Sequence, residues 1–336
     1  MRAIEPVRIT EGNFAAFGRY YDLNGADGAR QPGARAFVSR EQISAEPLKI
    51  GATAVKGGPF VSSRMERHVL SEELLICGDG GMVLTVADSD PEREPLSGDV
   101  RAFIMNPGDA VVLNKGIWHD ANHGLHGETT YFFLIPQRDF VASEVRWTDV
   151  APGAVPVEWK YAKGGEAVKS GGTAALGEQA EAGDAENSWD QGMKETFAPY
   201  GSLTRVLEGP GLAGDTGWRS WLEEAPALAE GCHLGVGFPE QDWGDNAMEC
   251  DPRAARQILC ACGAVRLAVM LREQPRSART VTLAQGDYAR LEKNVCYRVL
   301  GEPGRPGYYY TLSPHGDTPE RVPVGEALRD SLQRAK

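Results

Sequence analysis

The chain repeats itself. Phe14-Ala15-Ala16-Phe17-Gly18 has a counterpart in Phe197-Ala198-Pro199-Tyr200-Gly201, 183 positions later. Met65-Glu66 recurs as Met248-Glu249 at the same spacing. Gly108-Asp109 recurs as Gly286-Asp287 and Lys115 as Lys293, both 178 positions on. Tyr131-Phe132-Phe133 has Tyr308-Tyr309-Tyr310 near the same offset. Five landmarks in one order imply two copies of one domain, with a small deletion between the second and third. A chain of 336 residues is thereby read as two similar domains rather than one large one.

The domain type follows from the short apolar runs. Arg101–Met105, Ala110–Leu113, Tyr131–Ile135, Val265–Leu271 and Tyr308–Leu312 are rich in Val, Ile, Phe and Tyr and are bounded by turn formers. Long helical periods are rare, and Glu326–Lys336 is the one short candidate helix at the end. The expectation is an all-β sandwich or barrel, made twice. Ala162–Asn187 has no aromatic residue and is half Gly or Ala, too little apolar surface to offset its ordering entropy. It reads as a linker. The expected division is therefore 1–150, a linker or insert over 151–192, and 193–336.

Composition narrows the function classes. The formal net charge of −12 argues against a nucleic-acid partner, which would call for a basic face. No apolar run approaches the roughly 20 residues of a membrane span. The opening MRAIEPVRIT has no apolar stretch of the signal-peptide kind. Six cysteines without a CxxC pair indicate neither a zinc ribbon nor a disulfide framework, so a reducing cytoplasm is expected. Six histidines limit any metal site to His68, His119, His123, His126, His233 and His315.

The chemistry concentrates in the first copy. Glu66-x-His68 is followed five residues later by Glu73. Alternate residues of a strand share a face, so Glu66 and His68 point the same way and Arg67 the other. Glu73 has the wrong parity for a straight strand, which requires a bulge or turn near Leu70-Ser71. Glu72 competes with it for the inward role. About forty residues on comes Gly108-x5-Asn114-x-Gly116-x2-His119-x3-His123. His123 and His126 fall in a Gly-rich turn, Asn122–Gly127, and read as rim or surface. Cys260 and Cys262 lie in an apolar strand and read as packing residues.

These two blocks resemble the paired motifs of cupins, H-x-H-x(3,4)-E and G-x5-P-x-G-x2-H-x3-N. Glu66 stands for the first histidine, Asn114 for the proline and His123 for the asparagine. More narrowly, Met65–Leu70 resembles the E-R-H-P-L block of ureidoglycolate lyases, and Asn114–His119 their x-[RK]-G-x-W-H block. Val100–Phe103 resembles their L-R-A-F strand, Phe133–Arg138 a later strand that ends in arginine, and Phe14–Gly18 their N-terminal F-x-x-[FY]-G. The likeness covers most of residues 1–150. It departs where the family usually has two histidines and a proline after the tryptophan, since this chain has His119-Asp120-Ala121. Where this chain has Glu73 the family often carries Gln, and the family is a single domain of half this length.

The resemblance implies two tandem cupin barrels, a bicupin, with one active pocket in the first. It implies a divalent metal, Zn, Ni, Mn or Fe(II), held by Glu66, His68, Glu73 and His119, a mixed set of imidazoles and carboxylates that suits such ions. No organic cofactor is expected. The implied reaction splits ureidoglycolate into glyoxylate and urea. Glu73 or Glu66, whichever does not ligate, is the candidate base, and His68 and His119 are ligands or, without metal, the acid. Arg67, Lys115 and Arg138 are solvated charges or candidates for the substrate carboxylate, and Trp118 is core or pocket wall. Two rivals share the barrel: an isomerase or lyase acting on a sugar acid, which Asp120 favours, and a metabolite-binding bicupin without catalysis. A homodimer, or a monomer whose halves pair internally, is expected. The second copy has Glu249 and Asp251 for Glu66 and His68, and Cys296-Tyr297 for Trp118-His119. It reads as a structural half.

Overall fold

The computed structural model describes residues 2–25, 27–30, 36–46, 48–90, 92–136, 147–160, 200–202, 218–222, 232–239, 247–316 and 319–334. The chain forms two compact units, and neither is continuous in sequence. One comprises Met1–Gly28, Ile43–Ala167 and Leu203–Glu230, the other Ala29–Gln42, Val168–Ser202 and Gly231–Lys336. Each unit thus takes in a stretch from the other half of the sequence. Trp218–Leu222 pairs antiparallel with Leu48–Val55 in the first unit. Ala36–Ser39 pairs antiparallel with His233–Gly237 in the second. Simple spacing cannot reveal this exchange, because edge pairing is decided in three dimensions. The segment 151–160, expected as linker, also contributes: Val155–Val157 pairs with Phe60–Ser62. Ala162–Asn187 lies outside the described residues.

Both units are built from two facing sheets. In the first, one sheet runs in the order Trp218–Leu222, Leu48–Val55, Thr129–Pro136, Glu73–Cys77, Asp109–Leu113, Gly18–Asp22. The other runs Val7–Arg8, Val100–Met105, Met82–Ala87, Trp118–His119, with His123–Gly124 also on Met82–Ala87. Alternate side chains from both sheets fill the interior: Leu75, Cys77, Leu84, Val86, Phe103, Val111, Tyr131 and Phe133 form one buried cluster. The all-β expectation is met, and the described helices are Glu11–Phe14 and Glu326–Arg334.

Strand register confirms the repeat residue by residue. Glu73 opposes Leu113 in the first unit, and Arg256 opposes Leu291 in the second. Leu75 opposes Phe133, and Ile258 opposes Thr311. Thr85 opposes Ala102, and Ala268 opposes Thr280. These pairs carry the offsets 183 and 178, so the missing residues lie in one hairpin. The first unit closes that hairpin with the long loop Asp88–Asp99, whereas in the second the strands run on until Leu271 opposes Gln274.

Turns recur as well. Gly108 and Gly286 both have a left-handed backbone, with φ 95° and 80°. The following aspartate closes each turn: Asp109 accepts from the Asn106 amide at 2.6 Å, and Asp287 from the Ala284 amide at 2.8 Å. A side chain on Gly108 would enter disfavoured backbone space and meet the Asn24 amide nitrogen at 1.8 Å. Gly108→Ala should therefore cost about 1–2 kcal/mol of stability. Urea unfolding followed by tryptophan fluorescence measures it, and an unchanged midpoint would contradict this account.

Candidate functional site

The site is assembled by a short backbone junction. The Glu66 amide donates to the His119 carbonyl, and the His119 amide donates to the Glu66 carbonyl, both at 2.8 Å. The Gly116 amide donates to the His68 carbonyl at 2.7 Å. Gly116 adopts φ 80°, which lets the turn after Asn114 fold back on His68. The chain then bends at Val69-Leu70 and re-enters a sheet at Glu73. This is the turn that the parity of Glu73 demanded. Two sequence blocks some fifty residues apart are thus stitched into one surface.

Four side chains converge. One donor atom from each of Glu66, His68 and His119 lies within 4.8 Å of the others. Glu73 Oε2 is 2.9 Å from His119 Nε2 and 3.7 Å from His68 Nε2. Glu66 Oε1 is 3.7 Å from His119 Nε2. The two imidazoles stack at 5.4 Å between centroids. The His119 ring is held by its Nδ1, 3.2 Å from the Ile117 carbonyl oxygen, which leaves Nε2 for the site. Glu72 turns outward to a salt bridge with Arg19 at 2.8 Å, so Glu73 is the inward carboxylate.

Burial sets the electrostatics. Burial pushes the Glu66 carboxyl up to about 7; His119 opposes this, while Glu73 and Asp120 add to it. Burial works on Glu73 in the same sense, but His119 and His68 outweigh it and hold that carboxyl below its ordinary value. Burial alone would lower His119; Glu73 and Glu66 overcome it and raise the imidazole to about 9. Asp120 is raised to about 6 by burial, against the pull of Ser62, the Ala121 amide and His119.

A divalent cation fits this donor set. Glu73 Oε2 and His119 Nε2 are buried and make no hydrogen bond despite their 2.9 Å approach. Two imidazoles and two carboxylates match the ligands of a first-row transition ion or zinc. Among the described residues, Glu66, His68 and His119 are the His, Cys, Asp or Glu cluster with metal-ligand spacing.

The remaining sequence candidates are not gathered here. Arg67 points away, its guanidinium 4.7 Å from the centroid of the Trp118 ring. Trp118 is buried with Met65, Ala87, Val100, Val150 and Val155, the core position among its two expected roles. Lys115 is exposed and lines an outer cleft with Ser44, Glu46, Glu72 and Leu74. Arg138 lies outside the described residues. His123 stacks on Phe60 at 3.5 Å, and burial lowers it to about 4, so it is neutral. Sequence reading missed Tyr131. Burial pushes its hydroxyl up, and the charges of Glu73 and Glu66 add to that, so it stays protonated facing the carboxylates. The period-2 pattern through Phe133 was the available signal.

Fold and site together define a tandem cupin with its polar cluster in the first barrel. Residues 1–151 match the family model described as ureidoglycolate lyase. No curated protein matches. Among solved structures, oxalate decarboxylase from Bacillus subtilis at pH 4.6 is 13% identical, with a TM-score of 0.38 over 94% of this chain and 86% of that one. The formate complex of the Lactobacillus farciminis enzyme is 12% identical, with a TM-score of 0.38 over 91% of this chain and 88% of that one.

Because metal and proton compete for His119, loading the metal-free protein near pH 7.5 should release about one proton. Calorimetry in buffers of different ionisation enthalpy measures this, and no buffer dependence would contradict it. His119→Ala should weaken binding by more than the roughly 10–100-fold typical of losing a residue that merely orients a ligand.

Proposed function

We propose that the first barrel eliminates urea from ureidoglycolate to give glyoxylate. The observation that carries this reading is the convergence of Glu66, His68, Glu73 and His119 inside a domain matched by the ureidoglycolate lyase family model. In this reading His68, His119 and Glu73 hold the cation. When bound, a divalent metal supplies a Lewis acid that gathers the substrate carboxylate and hydroxyl and lowers the hydroxyl pKa. Zn, Ni, Mn and Fe(II) are the candidate ions.

Glu66 then acts as base. Its side chain is more accessible than that of Glu73, 21% exposed against 8%, and so better placed to meet substrate. Glu66 takes the hydroxyl proton, the oxygen pair closes the aldehyde carbonyl, and the C–N bond breaks toward nitrogen. The same proton passes to the departing urea nitrogen. All atoms of the substrate appear in the two products, and no water is consumed. Glu73, held charged between the imidazoles, keeps its proton state through the cycle.

A related reading keeps the pocket and changes the substrate to another small 2-hydroxy or 2-oxo carboxylate. The half-buried Asp120 next to His119 favours it, because it adds an acidic group where the family usually has a second histidine. Urea release from ureidoglycolate by the metal-loaded protein separates the two. The expected result is turnover that a His119→Ala, Glu73→Ala double variant loses by at least about a hundredfold. Full activity in that variant would overturn the assignment, and turnover of other small carboxylates without urea release would move it to the related reading.

A further inference from the structure

The second barrel repeats the geometry of the site with different chemistry. Glu249 opposes Tyr297 as Glu66 opposes His119. The Asn294 amide donates to the Asp251 carbonyl at 2.9 Å, as the Gly116 amide does to His68. Asn294 even keeps the left-handed backbone of Gly116, with φ 65°. Arg256 opposes Leu291 as Glu73 opposes Leu113. The four positions held by Glu66, His68, Glu73 and His119 are therefore held by Glu249, Asp251, Arg256 and Tyr297.

They pair two by two. Arg256 Nη2 lies 3.2 Å from Asp251 Oδ2, and both residues are almost fully buried, at 1% and 3% exposure. The Tyr297 hydroxyl donates to Glu249 Oε2 at 2.6 Å. A guanidinium buried to this degree is retained only when carboxylates compensate its lost hydration. Two are present, on the residues that match the first barrel's Glu66 and His68.

We propose that the second barrel carries its cation within the chain: the Arg256 guanidinium takes the fold position that serves a divalent metal in the first barrel, so the protein binds one metal per chain rather than two. The part concerning the first barrel rests on the metal reading above. The second barrel is then a cupin made independent of metal supply, folded around an ion that cannot dissociate.

Two experiments on the full-length protein test this. In the first, a His68→Ala, His119→Ala variant is stripped of metal and titrated with Mn²⁺ and with Zn²⁺. No remaining tight site is expected. A full equivalent that Glu249→Gln or Asp251→Asn removes would overturn the proposal. In the second, Arg256→Lys and Arg256→Met are compared in the otherwise unaltered chain by thermal unfolding. Lys keeps a cation, whereas Met keeps much of the volume without charge. The Lys variant should remain the more stable, and adding Glu249→Gln and Asp251→Asn to Arg256→Met should restore folding lost by Met alone. A Met variant as stable as Lys, or a neutral triple variant no better than Met alone, would overturn the cation role. If the wild-type chain takes up no metal at all, the first-barrel reading fails, yet the comparison of Lys with Met still decides what Arg256 does.

Discussion

The paired hydrogen bonds between Glu66 and His119 hold the site together. Each residue donates its amide to the other's carbonyl at 2.8 Å, so the two blocks cannot slide without losing both bonds. A shift of one residue would turn His119 out of the barrel and Trp118 into it. Trp118 is locked in the opposite direction by a buried cluster of Met65, Ala87 and Val100. Apolar packing on one face of this short strand therefore fixes the polar register on the other. Arg67 follows the same logic, since the parity that sends Glu66 and His68 inward lays its guanidinium on Trp118.

That backbone frame was used twice with different side chains. The registers match through the paired strands, and the glycine turn at Gly108 recurs at Gly286. Where Gly116 gave way, Asn294 replaced it, one of the few residues that tolerate a left-handed backbone. The frame thus constrains backbone conformation more tightly than it constrains chemistry. Trp118 became Cys296, which packs with Met248, Cys250 and Met270 on the corresponding face.

Much of this was legible in the sequence because strands have a period of two and turns a short vocabulary. The repeat, the strand runs and the bend before Glu73 follow from spacing, whereas the cluster of Glu66, His68, Glu73 and His119 came from the resemblance to the cupin motifs. Spacing left Lys115 and Trp118 open, the one between solvent and substrate and the other between core and pocket wall, because side-chain direction in a barrel is set by strand parity and neighbouring strands. The exchange of Ala36–Ser39 and Trp218–Leu222 between units left no trace, since an edge strand is chosen by available partners rather than by its own pattern. Arg256 was within reach. The offset of 183 that links Glu66 to Glu249 also links Glu73 to Arg256, which puts a cation in a ligand's place.

Charge explains why the two barrels had to diverge together rather than residue by residue. Two carboxylates inside a barrel repel each other and resist burial, so the first barrel needs positive charge from metal or from protons. Without metal it takes protons, and this is what the raised His119 and Glu66 values express. Replacing His119 by tyrosine alone would remove that reserve and leave the carboxylates uncompensated. Replacing Glu73 by arginine alone would set a fixed cation against a metal. Made together, the changes exchange a mobile cation for a covalent one and leave both remaining carboxylates paired, Asp251 with Arg256 and Glu249 with Tyr297. A buried charge network therefore changes as a unit, since a partial change strands a charge without water.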